Sequence, residues 1–226
     1  MTSANYGPKS VPLPMRTAHN APVTAVYLRE GPVMIRRAAL ISILLLLVST
    51  ATVSAGTEGA TVSIQNFFFN PATVKVNVGE FVGWTNNSDR THTSTARLFN
   101  AWNLSIGSSG HASTLFVRAG TFAYFCTIHS QMQGNVKVKM NATPASGTTS
   151  TNFSIRVATQ DAPSGFVEQV QRRKHGRTFK PWVNTAGQTL SWTPSRAATW
   201  EFRARLRRIS DGTVTGWSPV LKVVVS

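Results

Sequence analysis

The stretch YFCTIHSQMQG, residues 124–134, places Cys126 three residues before His129 and six before Met132. A thiol, an imidazole and a thioether are soft or borderline donors, and together they are the ligand types of a transition-metal site. Cys126 is the single cysteine of the 226-residue chain, so no intramolecular disulfide can occupy it. Taken one at a time, each residue has a plainer role. A lone cysteine is usually an inert buried thiol, a methionine core filler and a histidine a surface group. What matters is whether the rest of the chain supplies a further ligand and a scaffold.

A copper ion that exchanges one electron is held by a thiolate and two imidazoles near one plane, with a weak axial sulfur. Cys126, His129 and Met132 offer three such donors from one loop, and one short loop cannot surround an ion. His92, within SDRTHTSTA after FVGWTNN, offers the fourth from a separate strand edge. His111, at the start of HASTLFVR, reads as a surface histidine, and His19 and His175 are not candidates.

Elements able to position these residues show a period of two. TVSIQNFFFNP, ATVKVNVG, EFVGWTN, STLFVRAG, TFAYFC and GNVKVKM read as strands, and nothing between residues 56 and 140 sustains a helical period. Short strands punctuated by Gly and Asn turns predict an all-β sandwich or barrel over 56–140. NATPASGTTSTN is small and polar, so 141–151 reads as a linker. Beyond it NFSIRVAT, GFVEQVQRRK, TFKPWVN, QTLSWTP, TWEFRARLRR and PVLKVVVS predict a second β-sandwich over 152–226. No internal repeat relates the two halves.

The N-terminal region indicates export. In MIRRAALISILLLLVSTATVSAG, Arg36 and Arg37 precede an apolar run, and Val53-Ser54-Ala55 reads as a small-residue cleavage site, so 34–55 is expected to be a signal peptide. An uncleaved membrane anchor is the alternative. Residues 1–33 have no domain-like pattern, and Met34 is a candidate start. The formal charge is +15; removing residues 1–55 takes five basic residues and one acid and leaves +11. An exported free thiol is a liability unless something occupies it. Asn-x-Ser/Thr sequons occur at Asn86, Asn103, Asn141 and Asn152.

On FNPATVKVNVGEFVGWTNNSDRTHT and AGTFAYFCTIHSQMQGNVKV, residues 60–140 resemble the cupredoxins, the family of plastocyanin, pseudoazurin and amicyanin. The spacing Cys-x2-His-x2-Met is similar to the short ligand loop of amicyanin. The resemblance implies a Greek-key β-sandwich holding one type 1 copper ion through His92, Cys126, His129 and Met132. Two positions depart from the pattern. The residue after the upstream histidine is often an asparagine that bonds near the cysteine sulfur, and here it is Thr93. Where amicyanin has a proline between its cysteine and histidine, this chain has Ile128, expected beside the site where electrons leave. One cysteine excludes a binuclear electron-transfer centre. The five histidines form no His-x-His or His-Cys-His element of the multicopper enzymes, so an electron carrier rather than an enzyme is implied.

The last third resembles a fibronectin type III domain in SWTPSRAATWEFRARLRRISDGTVTGWSPVLKVVV, with Trp182, Trp192, Trp200 and Phe202 expected in its core. Residues 149–226 hold twelve basic and four acidic residues, against six and three in 56–148. Arg172, Arg173 and Lys174 on one strand and Arg203, Arg205 and Arg207 on its neighbour are the candidate basic docking face. An acidic partner is implied: anionic lipid, an acidic cell-wall polymer or an acidic redox protein, with nucleic acid excluded for an exported chain. The sequence thus reads as an exported blue-copper electron carrier with a basic docking sandwich. Its alternatives are a copper-binding or storage module and an adhesive surface protein whose cupredoxin half is structural.

Overall fold

The computed structural model describes residues 58–226, and the expected leader at 34–55 and the segment 1–33 lie outside them. All regular structure is strand; among the described residues there is no helix, so none long or apolar enough to cross a membrane. The all-β expectation holds.

Nine strands build the first sandwich: β1 (Glu58–Gln65), β2 (Phe68–Asn70), β3 (Thr73–Asn77), β4 (Glu80–Asn86), β5 (His92–Ala96), β6 (Asn103–Ile106), β7 (His111–Phe116), β8 (Gly120–Phe125) and β9 (Gln133–Lys139). They form one sheet of order β2-β1-β4-β7 and another of order β3-β9-β8-β5-β6. The β1–β4 and β3–β9 pairs are parallel, because the chain keeps crossing between sheets instead of meandering within one. Alternation sets the faces. Val62 and Ile64, Val74 and Val76, Val82 and Trp84, and Val136 and Val138 all point into the layer between the sheets and are buried. Aromatic rings fill the middle, with Tyr124 edge-on to Trp84 at 5.5 Å and beside Phe69 at 4.8 Å. Gly134 is required opposite Tyr124, since a β-carbon there would collide with the tyrosine ring.

The antiparallel pairing of β5 with β8, Thr95 opposite Phe125 and Ala96 opposite Tyr124, matters most for the site. It brings the start of β5 and the end of β8 to the same end of the sandwich. His92 and Cys126 meet there although 34 residues separate them.

The stretch 141–151, expected as a linker, is instead part of the second sandwich. It carries β10 (Asn141–Thr143) and β11 (Ser146–Gly147). β10 pairs with β12 (Phe153–Arg156), and β11 pairs in parallel with the last strand. Two edge strands of two or three residues are too short to show a period, which is why small polar residues there read as a linker. The rest comprises β13 (Phe166–Lys174), β14 (Lys180–Thr185), β15 (Thr189–Trp192), β16 (Ala198–Arg208) and β17 (Leu221–Val225). The sheets run β10-β12-β15 and β11-β17-β16-β13-β14. Trp192, Phe202 and Phe153 lie in its core, with Trp182 and Trp200 packed against it half-buried.

Backbone hydrogen bonds join the two sandwiches: Ala119 N–H to Val157 O, Thr159 N–H to Val117 O, and a reciprocal pair between Thr121 and Gly216. Arg118 reaches from the first sandwich into the second, donating to the carbonyls of Gln160 (3.1 Å) and Asp161 (2.6 Å). Beside it an apolar cavity of about 350 Å³ is walled by Phe99, Trp102, Phe116, Phe122, Phe166 and Leu206. None of the four expected copper ligands lines it.

Candidate metal centre

His92 opens β5, Cys126 follows β8, and His129 and Met132 lie on the loop that returns to β9. Two backbone bonds fold that loop back on itself: Met132 N–H to His129 O at 3.0 Å and Cys126 N–H to Met132 O at 3.1 Å. The loop is short, so it can close only as a tight turn that keeps Met132 inside. Cys126 and His92 are fully buried, Met132 is almost so, and His129 is partly exposed.

Three donor atoms converge. Cys126 Sγ lies 3.9 Å from His92 Nδ1 and 3.8 Å from His129 Nδ1, and the two Nδ1 atoms are 3.1 Å apart. With metal–nitrogen bonds of ~2.0 Å and metal–thiolate bonds of ~2.3 Å, a planar three-ligand site has edges of about 3.5 and 3.7 Å. The triangle fits one ion held by all three residues. No acidic side chain joins the group, and sulfur plus two imidazoles selects a soft or borderline transition metal over magnesium or calcium.

The surroundings suit a bound cation. Burial, followed by the neighbouring His129 and Arg90, holds the His92 imidazole below its usual pKa, with Asp89 opposing. It is thus neutral and able to donate a lone pair at neutral pH. Its far nitrogen, Nε2, is buried with no hydrogen-bond partner, so the Nδ1 side is the one the fold has equipped. The Thr93 backbone N–H donates to the Cys126 sulfur at 3.3 Å. Thr93 Oγ1 accepts the Thr127 N–H at 2.8 Å and also meets the hydroxyls of Thr127 and Thr95 at 3.1 and 3.0 Å. The Thr93 side chain therefore staples β5 to the loop immediately after Cys126, across the metal-binding end.

Two residues that sequence reading passed over complete the site. Asn86 is fully buried, and its Nδ2 donates to the carbonyls of Arg90, Ile106 and Gly107 at 2.7, 3.0 and 2.9 Å. Its Oδ1 accepts from the Ser88 backbone and hydroxyl. Asn86 thereby ties down the turn that delivers His92, and a residue read as a sequon is enclosed by the fold. The other residue is Phe67, at the tip of the β1–β2 hairpin with φ of 68°. Its ring stands edge-on to His129 at 5.1 Å and 74°. Phe67, Phe68 and Ile128 are all about half exposed, so the partly exposed His129 edge lies in apolar surroundings. In the sequence, NFFFN reads simply as strand; the hairpin turn sets Phe67 apart, and alternation along β2 turns Phe68 out and Phe69 in.

Elsewhere, His111 is half exposed and bonded to Thr85 Oγ1 at 3.0 Å, as a surface histidine should be. His175 sits 2.8 Å from buried Glu201. The six residues expected on one basic face divide between two. Arg203, Arg205 and Arg207 on β16 do lie on the outer face with Arg173, opposite the buried row of Phe202, Ala204 and Leu206. Arg172 and Lys174 alternate to the inner side of the sheet, where they cover Trp182 and Trp200 at its open end. The period of two makes that split unavoidable for three consecutive residues of a strand.

No protein-family model and no curated protein matches the chain. Among solved structures the chain is similar to a purple cupredoxin from Nitrosopumilus maritimus, at 25% identity over 35% of this chain and 99% of that one, TM-score 0.32. It is also similar to an oxidised amicyanin variant, at 26% identity over 36% and 82%, TM-score 0.33. A Cu(I) amicyanin variant matches at 29% identity over 39% and 88%, TM-score 0.33.

Proposed function

We propose that this protein is an exported type 1 copper protein that passes single electrons. One observation carries the reading: a buried cysteine sulfur and two imidazole nitrogens within 3.9 Å of one another, at the shared end of two adjacent strands. His92, Cys126 and His129 would hold the ion, and buried Met132, turned in by its backbone bonds, would be the thioether available as a fourth ligand. Bound copper would contribute a one-electron couple that its thiolate makes intense in colour.

The chain's own part in that chemistry is to hold still. His92 opens β5 and Cys126 directly follows its partner strand β8, so the ladder that pairs the two strands sets their separation. Thr93 and Asn86 lock the segments on either side of His92. A site that cannot rearrange between oxidation states is suited to fast exchange. The His129 edge, in its apolar setting of Phe67 and Ile128, is the route by which an electron reaches a partner without crossing bulk water.

The test is to add Cu(II) to the full chain and follow the visible spectrum. An intense thiolate-to-copper band that ascorbate bleaches and an oxidant restores supports the reading. Copper taken up without that band, or without reversibility, points to storage. No uptake leaves the structural, adhesive role.

A further inference from the structure

On the outer face of β16 and β13, cations and aromatic rings alternate in a continuous stack. Arg205 lies over Trp217 at 4.2 Å, and Arg203 covers the same indole at 4.4 Å. Arg203 also lies over Phe179 at 4.2 Å, and Arg173 covers Phe179 at 4.1 Å. The order is therefore Arg205, Trp217, Arg203, Phe179, Arg173. Arg207 extends the row by one further alternation of β16. The turn after β13 continues it at the other end, where Arg173 Nη1 donates to Arg177 O at 3.1 Å.

Two features set this row apart from a merely solvated basic face. Its guanidinium groups are held in place. Gln171 Oε1 accepts from both Nε and Nη2 of Arg203, at 2.9 and 2.7 Å, and Gln169 Oε1 accepts from Arg205 Nε at 2.7 Å. A neutral amide, where a carboxylate would be the usual partner, orients Arg203 and Arg205 without cancelling their charge. The side-chain entropy normally lost on binding has thus been removed in advance. The row is also nearly free of acids. Glu201 is the carboxylate on it, and Arg173, His175 and Lys222 surround Glu201.

We infer that this row is a binding site for a linear polyanion, specifically a sulfated or phosphorylated polysaccharide lying along β16. From Arg207 to Arg173, opposite Glu201, is six residues of strand, or about 20 Å at ~3.3 Å per residue. Same-face arginines recur about every 6.6 Å along it, a repeat that matches a chain bearing charge on successive units and not a single headgroup. A membrane fits less well. Every aromatic ring in the stack has cations on its faces; of the exposed large apolar residues, Phe67, Phe68, Leu98, Leu115 and Ile128 belong to the other sandwich, and Ile209 after β16 and Val224 on β17 stand outside the stack. The stack itself thus offers charge, and two separate aliphatic side chains do not make the apolar face that inserts into a bilayer. The site is independent of the metal centre, so its failure or success leaves the copper reading untouched.

The experiment uses the full chain and immobilised dextran sulfate as the probe, with affinity measured across a salt series. Counterion release makes log Kd linear in log salt, with a slope set by the number of charges engaged, here about four. Replacing both Arg203 and Arg205 by Gln is expected to lower that slope by about two and to weaken binding about tenfold or more near 0.1 M salt. The double Lys variant keeps charge without stacking, so it should keep the slope while losing affinity severalfold. Arg156→Gln, on the other sheet, serves as the charge control and should change neither. Thermal melting separates a binding loss from a folding loss. An unchanged slope in the double Gln variant overturns the inference. So does retention by anionic phospholipid vesicles with the same dependence on Arg203 and Arg205 and no retention by dextran sulfate.

Discussion

Glu168 is the sharpest test of how the two sandwiches are joined. Its carboxylate lies on β13, fully buried, and neither oxygen has a hydrogen-bond partner. The nearest cation is Arg118 Nη1 at 3.8 Å, too far for a hydrogen bond and already committed to the carbonyl of Gln160. Burial therefore wins over the Arg118 attraction and pushes the carboxyl up to about 8 from its ordinary 4.5. A group raised in the folded state binds its proton more tightly there than in the unfolded chain. Its stabilisation is fully present below the unfolded value and fades as pH rises through the folded one. The protein should thus lose stability between about pH 4.5 and pH 8. At about 1.36 kcal/mol per unit, the shift sets an upper bound of roughly 5 kcal/mol. Glu168→Gln keeps the shape and needs no proton. In urea denaturation followed by tryptophan fluorescence, it should match the parent within about 1 kcal/mol near pH 5 and exceed it by roughly 2–5 kcal/mol near pH 9. If Glu168→Gln is instead less stable near pH 9 by about 3 kcal/mol, Glu168 and Arg118 form a net-favourable ion pair and the argument from burial is refuted.

Other outcomes concern the metal end. Thr93→Val removes the oxygen that accepts the Thr127 N–H but keeps the backbone donor to sulfur; copper affinity should fall roughly 10–100-fold in a competition titration while the fold persists. Asn86→Ala removes the donor to three carbonyls at once, that of Ile106 buried and those of Arg90 and Gly107 part-buried; it should cost about 1–2 kcal/mol in denaturant and loosen His92, visible as faster amide exchange over residues 87–92. Phe67 adopts a left-handed backbone that only glycine accepts freely. Phe67→Ala should therefore be less stable than Phe67→Gly by about 1 kcal/mol in thermal melts, the reverse of the usual order.

Much of this protein was legible before any fold was drawn. Where both faces of a strand alternate, as in TVKVN or NVKVK, the buried valines could be named from the period alone, because one side of a sheet must pack and the other must not. β5 was not legible in that way. His92, Thr93 and Ser94 are polar, yet the strand is almost wholly buried and lies between β8 and β6. Thr93 and Ser94 are satisfied by partners that no local pattern reveals. Trp102 Nε1 bonds Ser94, Thr127 bonds Thr93, and Cys126 receives the Thr93 N–H. The sulfur, imidazole and thioether of one loop were visible as a chemical set, since residue type and spacing suffice to name donor atoms.

What only the tertiary structure decided was how those donors and the charges around them are arranged. The antiparallel pairing of β5 with β8 carries His92 across 34 residues to Cys126, a long-range contact that no window of sequence contains. Likewise, the count of arginines was plain from composition. Their division into an inner pair over Trp182 and Trp200 and an outer row stacked with Trp217 and Phe179 was not. The stacked aromatics come from segments outside β13 and β16, from the turn before β14 and the turn before β17, and only folding brings them to that face. Local alternation says which side of a strand a residue is on; the closing of the sheets says what it meets there.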